Sequence, residues 1–334
     1  MKKTIGLIGK GLIGTELARR LNEKGYEVQF VIRSSGVYAG ESNRKIDERE
    51  NYENYLSKVE ALCLAIPTID DGNMALSYIL ASLYHKKPIV TCEKGALSNY
   101  FKELKNGIDK IGYSATVGGG TRLLRWGQEK INHDVMEVHA ILNGTLNYVF
   151  SQVAQGRTLG EVVEEAKKLG YAEPGANSHL DVINTEANRD IPMKTAILFN
   201  IMGLGNIRAK DIKTNPIKEA CLQKLIKQAK QRRYIVSITR KKLHEDVISG
   251  FSYCSNDWFI SAGFKHVDEN PLFSRLKISG VNNALLFYEG KNGENGTYDL
   301  SGQGAGAGPT TSSMMKDLEN LLTINKKCKP QKTK

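Results

Sequence analysis

The sequence predicts an α/β fold in which a doubly wound parallel sheet is followed by a second domain of α+β type. Three observations favour this fold. Residues 4–8 form an apolar run that breaks into a glycine-rich turn and then a helical pattern. Strand-like runs then alternate with segments of helical length, which is typical of parallel sheets with helices on both faces. From about residue 130 this alternation ends, and later apolar runs indicate a mixed domain.

The first domain contains four predicted strands and three predicted helices. The strands are expected at 4–8, 26–32, 61–67 and 88–92, and the helices at 12–24, 74–87 and 99–108. Gly25 is placed to end the first helix as a C-cap.

In the second domain, strands are predicted at 135–143, 234–238, 247–254 and 283–290, and helices at 145–154 and 158–170. Thr158 and Glu161 have the spacing of a capping box. We expect a first domain of residues 1–130 and 300–325 and a second of residues 131–299. The remaining residues, 326–334, form a basic tail with almost no apolar side chains, which predicts disorder.

The composition of the chain argues against several functional classes of protein. The net charge of +11 is concentrated in basic runs that no aromatic residues interrupt, so a solvated surface is favoured over a nucleic-acid interface. No apolar stretch is long enough to span a membrane. Charged residues follow the N-terminal apolar run at once, which argues against a signal peptide and for a cytoplasmic protein. The five cysteines lack metal-site spacing, so no metal is expected.

Gly9, Gly11 and Gly14 form a GxGxxG pattern with Leu12 and Ile13 inside it. The pattern follows a predicted strand, opens a predicted helix and precedes a second strand, which is the context of a dinucleotide-binding (Rossmann) turn. The glycines permit a tight turn, close approach of the backbone to a pyrophosphate, and close packing of the helix. We therefore predict that these five residues bind a dinucleotide.

Arg33, Ser34 and Ser35 end the second predicted strand, where an NAD-preferring site usually places a carboxylate for the ribose. A guanidinium and two hydroxyls suit a 2′-phosphate instead. The sequence predicts NADP as the cofactor, with NAD as the alternative.

Two lysines are candidates for acid–base chemistry. Lys94 directly follows a strand of the first domain, at the carboxyl edge where doubly wound sheets bind ligands. Lys194 lies four residues after Asp190, so a helix would place both side chains on one face. A lysine can donate a proton to a carbonyl oxygen during hydride transfer.

Segments in order along most of the chain resemble the homoserine dehydrogenases. They are GLIGKGLIG (6–14), VTCEKGAL (90–97), ATVGGGTRLL (115–124), AILNGTLNYVF (140–150), AKKLGYAEP (166–174), DIPMKTAIL (190–198), NPLFSRLKISGVNNALLFYEG (270–290) and GQGAGAGPTTSSMMKDL (302–318). The resemblance implies NAD(P)-dependent interconversion of L-homoserine and L-aspartate 4-semialdehyde, a step in the biosynthesis of threonine and methionine. It also implies a homodimer formed through the second domain.

The resemblance further assigns roles to residues of this chain. Lys194 resembles the proton donor, and Lys94 the second lysine beside nicotinamide and substrate. Glu173 and Asp190 resemble the carboxylates that hold the substrate ammonium, with Tyr171 beside them. Asn143, Gly144 and Thr145 resemble the family's turn beneath the substrate. Gly304, Ala305 and Gly306 resemble the late loop that lies over the cofactor.

The chain departs from the family pattern in two places. Glu93 precedes Lys94 where the family usually has asparagine, and the segment from Glu173 to Lys194 is longer than usual. Gly175 stands where the family has an aspartate, which makes Asp181 a candidate for the missing carboxylate. Two other interpretations remain open: a related dehydrogenase of another small amino-acid-like carbonyl, and a cofactor-binding regulatory homologue without turnover.

Overall fold

The computed structural model of the chain describes residues 2–172, 178–255 and 257–327. The chain divides into two compact units. The first holds the residues up to Thr116 and those from Thr310 onwards, and the second holds Val117–Pro309.

The first unit is built on a seven-stranded sheet with the strand order β4-β3-β2-β1-β5-β6-β7. Its strands are β1 (Thr4–Ile8), β2 (Glu27–Arg33), β3 (Gly36–Ala39), β4 (Lys45–Asp47), β5 (Ala61–Leu64), β6 (Ile89–Thr91) and β7 (Ile111–Gly112). The strands β1, β2, β5, β6 and β7 pair in parallel, whereas β3 and β4 pair antiparallel at one edge. This sheet has the order of a doubly wound fold around β1.

Helices cover this sheet. They are α1 (Leu12–Glu23), α2 (Asn73–Tyr84), α3 (Gly95–Asn99) and α4 (Phe101–Leu104), together with the 3₁₀ segment Arg49–Lys58 and part of the last helix of the chain, Ala307–Lys327. Buried side chains of β1 and α1 pack with Met314 and Leu318 of that last helix in one apolar core. The last helix therefore completes the first unit.

The second unit contains a six-stranded antiparallel sheet with the order β10-β11-β9-β8-β12-β13. Its strands are β8 (Val135–Ile141), β9 (Arg232–Thr239), β10 (Ile248–Ser255), β11 (Trp258–His266), β12 (Asn282–Glu289) and β13 (Gly296–Gln303). Its helices are α5 (Leu123–Lys130), α6 (Gly144–Val153), α7 (Leu159–Lys168), α8 (His179–Thr185), α9 (Ile191–Ile201), α10 (Glu219–Lys227) and α11 (Pro271–Arg275). The last helix, α12 (Ala307–Lys327), belongs to the first unit from Thr310 onwards. A π-helical turn, Glu186–Asp190, joins α8 to α9.

The predicted fold class is confirmed, whereas the units divide at residues other than 130 and 300. The ring of Trp126 on α5 stacks on Phe287 of β12 at 5.7 Å, and a Cβ at Gly127 would lie 2.4 Å from Met202. Helix α5 therefore belongs to the second unit, as does β13, which pairs with β12 along its full length.

The structure confirms the two predictions that rest on helix-capping residues. The predicted capping box forms at the start of α7, and Gly25 has the positive φ expected after α1. Residues 326 and 327, assigned to the disordered tail, belong to α12, and residues 328–334 lie outside the described residues. Within the described ranges, no helix is both long and apolar enough to cross a membrane.

Candidate functional site

The glycine-rich turn lies between β1 and α1, and its three glycines meet different surroundings. A Cβ at Gly9, where φ is +94°, would lie 2.3 Å from the carbonyl oxygen of Ala65. A Cβ at Gly14 would lie 2.3 Å from the carbonyl oxygen of Gly9. A Cβ at Gly11 would meet nothing within 4 Å. The fold itself requires Gly9 and Gly14, whereas Gly11 leaves open space over the backbone.

That open space lies at the N-terminus of α1. Gly11 is the N-cap and has no side chain to bond the first amides, and no acidic residue lies in the first turn. Leu12 is 67% exposed, and Ile13 is half-buried beside it. Free N–H groups at a helix N-terminus bind phosphate, so the turn fits the pyrophosphate of a dinucleotide.

The strand β2 ends at Arg33, and Ser34 and Ser35 make the tight turn into β3. The guanidinium of Arg33 lies 4.2 Å from the centre of the Tyr38 ring and donates to the backbone oxygen of Ser42 at 3.1 Å. Ser34 and Ser35 are exposed. These contacts hold the arginine at the carboxyl end of β2, where the adenosine ribose of a dinucleotide lies in this fold.

Lys94 follows β6 at the same edge of the sheet, directly before α3. Its neighbour Glu93 is buried and caps α3: the carboxylate accepts the N–H groups of Gly95 at 2.5 Å and Ala96 at 3.0 Å. It also accepts the hydroxyl of Thr68 at 2.6 Å. The residue that departs from the family pattern therefore stabilises the helix that begins beside Lys94.

In the second unit, four polar side chains come together at the start of α9. Lys194 Nζ lies 2.6 Å from Asp190 Oδ2, as the spacing of four residues predicted. The amide of Asn143 donates to Asp190 Oδ2 at 2.8 Å and to Glu186 Oε2 at 2.5 Å. Asn143, Glu186 and Asp190 are all buried. A half-buried lysine held by a carboxylate is equipped to exchange a proton with a bound carbonyl or alcohol.

The π-helical turn explains why Glu186 joins this group. Glu186 and Asp190 are its first and last residues, and both reach the single amide of Asn143. Pro192 is the second residue of α9, and because the helical backbone continues into α9 from the π-helical turn, its missing N–H removes one helical hydrogen bond at this point. Sequence reasoning did not select Glu186. The available signal was its spacing of four residues before Asp190.

Asn143 also caps α6, because its Oδ1 accepts the N–H of Leu146 at 2.7 Å. Gly144 follows as the first residue of the helix. The hydroxyl of Thr145 donates to the backbone oxygen of Tyr171 at 2.6 Å, which joins two of the predicted substrate segments. The ring of Tyr171 packs edge-on against Tyr148 at 5.5 Å.

The sequence predicts that Glu173 and Asp181 bind the substrate, and the structure describes one of these two residues. Glu173 lies outside the described residues. Asp181 is exposed, and it forms a capping box with Ser178 at the start of α8. Its carboxylate accepts the Ser178 N–H at 3.0 Å. The contacts of Asp181 are those of a helix cap, and among the described residues Glu186 is a buried acid that shares the Asn143 amide with Asp190.

The late glycine loop connects β13 to α12 through Gly304, Ala305 and Gly306. The N–H of Gly304 donates to the backbone oxygen of Val281 at 3.0 Å. Gly306 has a φ of +109°, a conformation that favours glycine. The loop is therefore held against the segment that leads into β12.

A glycine turn before the first helix of a doubly wound sheet and, in the second unit, a half-buried lysine paired with a buried carboxylate are each typical of NAD(P)-dependent oxidoreductases. The family model described as homoserine dehydrogenase matches residues 126–318, more than half of the chain. The chain belongs to the homoserine dehydrogenase family.

Individual relatives agree with this assignment. The homoserine dehydrogenase of Methanocaldococcus jannaschii is 28% identical over 268 residues, which cover 78% of this chain and 71% of the relative. An NAD(+)-dependent homoserine dehydrogenase of Pseudomonas canavaninivorans is 26% identical over 260 residues, which cover 75% of this chain and 67% of that protein.

Solved structures show the same fold. A putative homoserine dehydrogenase from Archaeoglobus fulgidus superposes with a TM-score of 0.70 at 22% identity, covering 96% of this chain and 99% of that one. A hyperthermophilic archaeal homoserine dehydrogenase in complex with NADPH gives a TM-score of 0.67 at 20% identity, covering 97% and 98% of the two chains.

Proposed function

We propose that this protein catalyses the NAD(P)-dependent interconversion of L-homoserine and L-aspartate 4-semialdehyde. The observation that carries the proposal is the Lys194–Asp190 pair at the start of α9, in which the buried Asp190 is hydrogen-bonded to Asn143, the cap of α6. The glycine turn of the first unit supports cofactor binding, and family membership supports the substrate.

Lys194 is proposed to give a proton to the aldehyde oxygen during reduction and to take it from the alcohol during oxidation. The nicotinamide cofactor, when bound, supplies or accepts the hydride. Asp190 holds the lysine ammonium at 2.6 Å, which fixes the direction in which the ammonium points. Asn143 holds the carboxylate of Asp190 in turn.

The substrate carries an ammonium, which needs carboxylates, and a carboxylate, which needs donors. We propose that Asp190 and Glu186 hold the ammonium, together with Glu173 as the family resemblance implies. Glu186 takes the place that sequence reasoning gave to Asp181. The turn of Asn143, Gly144 and Thr145, with Tyr171 beside it, is proposed to bind the rest of the substrate.

In the first unit, the pyrophosphate is proposed to bind at the glycine turn, and Lys94 is proposed to act as the second lysine beside nicotinamide and substrate. The late glycine loop of Gly304, Ala305 and Gly306 is proposed to contact the cofactor. We further propose that NADP is preferred, because the guanidinium of Arg33 and the hydroxyls of Ser34 and Ser35 suit a 2′-phosphate.

Consumption of NADPH tests the reaction directly. The purified protein should reduce L-aspartate 4-semialdehyde with a higher kcat/KM than other small aldehydes and 2-oxo acids in a panel. A better substrate elsewhere in the panel would favour the related dehydrogenase. Tight binding of NADPH without turnover of any compound would favour the regulatory homologue.

Cofactor preference is tested with Arg33→Ala. The variant should lower kcat/KM for NADPH by about tenfold, as expected for the loss of a charge-assisted hydrogen bond, and leave kcat/KM for NADH unchanged. Arg19→Ala is the matched control, because Arg19 is an exposed arginine of α1 paired with Glu16. A wild-type protein that uses NADH better than NADPH at moderate salt contradicts the preference.

We also propose a homodimer, as the family resemblance implies, and a cytoplasmic location. Sedimentation of the purified protein distinguishes a dimer from a monomer of 37.0 kDa.

A further inference from the structure

Two glycines proposed to serve different ligands pack against the same short segment of the second unit, residues 281–283. A Cβ at Gly144, at the start of α6, would lie 2.5 Å from the carbonyl oxygen of Val281. The same oxygen accepts the N–H of Gly304, from the late glycine loop, at 3.0 Å. The segment therefore links the proposed substrate turn to the proposed cofactor loop.

The side chain of Asn283 fills the space between these glycines. Its Oδ1 lies 1.5 Å from the position that a Cβ of Gly304 would take, and 3.3 Å from that of a Cβ at Gly144. Only glycine fits at 304 while this amide is in place. Asn283 is fully buried at the start of β12.

Neither polar atom of the Asn283 amide has a hydrogen-bond partner among the described residues. An unpaired buried amide lowers the free energy of unfolding relative to an apolar side chain of the same size. Its presence in a folded protein therefore needs a physical explanation. Asn200 shows the usual situation in the same unit: it is also buried, and its amide both donates to and accepts from the backbone of Ile207, at 2.8 and 2.9 Å.

We propose that Asn283 is a positioning residue. Its amide becomes hydrogen-bonded when a bound ligand fixes the positions of the Gly144 turn and the Gly304 loop. The amide offers two donors and an acceptor, and Gly304 and Gly144, one from each turn, lie close to its Oδ1. Formation of these bonds favours the ligand-bound arrangement. The proposal rests on the proposed function in assigning one turn to the substrate and the other to the cofactor.

Asn283→Leu tests the proposal, because leucine has a similar volume and no polar atoms. The free variant should have a thermal midpoint equal to or higher than that of the wild type. The increase in midpoint caused by NADPH, or by homoserine with NADP⁺, should be smaller than in the wild type. The kcat/KM should fall by about tenfold or more, mainly through KM, as expected for one or two lost hydrogen bonds.

Asn200→Leu is the matched control. It removes a paired amide, so the free protein should melt earlier, while the ligand-induced increase in midpoint and the kcat/KM at low temperature should stay at wild-type values. Asn283→Ala provides a second variant if leucine prevents folding. It leaves a cavity that lowers the midpoint, but the ligand-induced increase should again be reduced.

Three outcomes overturn the proposal. A free Asn283→Leu protein that is destabilised as much as Asn200→Leu shows that the amide is already paired without ligand, for example by water. Wild-type KM and ligand-induced stabilisation in both Asn283 variants show that the amide is not coupled to ligand. A wild-type protein that responds to neither NAD(P) nor homoserine overturns the proposed function itself, and with it the ligands assigned to these turns.

Discussion

The described residues of the second unit include two pairs of a largely buried lysine and a carboxylate, and these pairs differ in what surrounds the lysine. Lys194 pairs with Asp190 at 2.6 Å where a π-helical turn meets α9, and 13% of its side chain is exposed. Lys265, the last residue but one of β11, pairs with Glu245 at 2.7 Å, and 4% of its side chain is exposed. Burial and an ion pair are common to both, so neither property by itself marks a functional lysine.

The surroundings of Lys265 are those of a structural group. Its ammonium donates to Ser237 Oγ at 2.8 Å, to the backbone oxygen of Ser261 at 2.9 Å and to Glu245, which uses all three donors. His139 bonds the same Ser237 hydroxyl at 3.0 Å and is equally buried. Burial lowers the pKa of Lys265 to about 8, against the attraction of Glu245. This lysine is closed off by protein, whereas Lys194 adjoins a helix cap and the proposed substrate turn.

The largest expected effect separates the two lysines by activity. Lys194→Met should lower kcat by about a thousandfold, the range of a lost general acid–base group, and leave NADPH affinity unchanged. Lys265→Met should leave kcat within about twofold of wild type at a temperature where it is folded. Steady-state kinetics and NADPH titration of both variants provide the measurement. Near-normal turnover in Lys194→Met removes the assignment of the proton donor.

In stability, substitution of Lys265 should have a larger effect than substitution of Lys194. Lys265→Met leaves the partly buried Glu245 carboxylate without its partner, which should cost about 2–3 kcal/mol in the free energy of unfolding at pH 7. Urea unfolding measures this loss. A variant as stable as wild type would show that methionine packing compensates for the pair.

The pH dependence of Lys265 sharpens the contrast. Its folded pKa of about 8 lies below the ordinary value of 10.5, so the unfolded chain binds more protons between these values. The free energy of unfolding of the wild type should therefore rise relative to Lys265→Met, by about 1–2 kcal/mol between pH 7.5 and 9.5. A difference that stays constant or shrinks over this interval contradicts the lowered pKa.

The smallest expected effect is on stability and concerns Asp181, which the sequence predicts to bind the substrate. Asp181→Ala removes a helix cap and should cost about 1 kcal/mol of stability, with kcat and KM unchanged. Glu186→Gln, in contrast, should raise KM for homoserine, since Glu186 is proposed to hold its ammonium. A larger rise in KM for Asp181→Ala than for Glu186→Gln would return the role to Asp181.

Prediction from the sequence succeeded where a residue's role depends on near neighbours. The strands β1 and β2, the capping box of α7 and the Lys194–Asp190 pair all follow from local spacing. The β3–β4 hairpin was not predicted, because its strands are four and three residues long and lie at the sheet edge, where continuous apolar side chains are not required.

The site was harder to predict than the fold because its contacts are distant in sequence. Asn143 reaches Glu186 across 43 residues, and this contact depends on a π-helical turn that no short motif announces. Asp181 appeared suitable because it lies near the Glu-Pro segment, but it bonds its own helix end instead. Residue type and separation alone therefore do not show that Glu186 is buried and Asp181 exposed.

The turn between α8 and α9 also sets a limit on how this chain can vary in length. A π-helical turn contains one residue more than an α-helical turn, so deleting one residue from Glu186–Asp190 would let an ordinary α-helical turn form between α8 and α9. Glu186 and Asp190 would then be three residues apart, and the geometry by which both reach the amide of Asn143 would change. The loss of a single residue in this turn would therefore alter the proposed ammonium site without replacing any of its side chains.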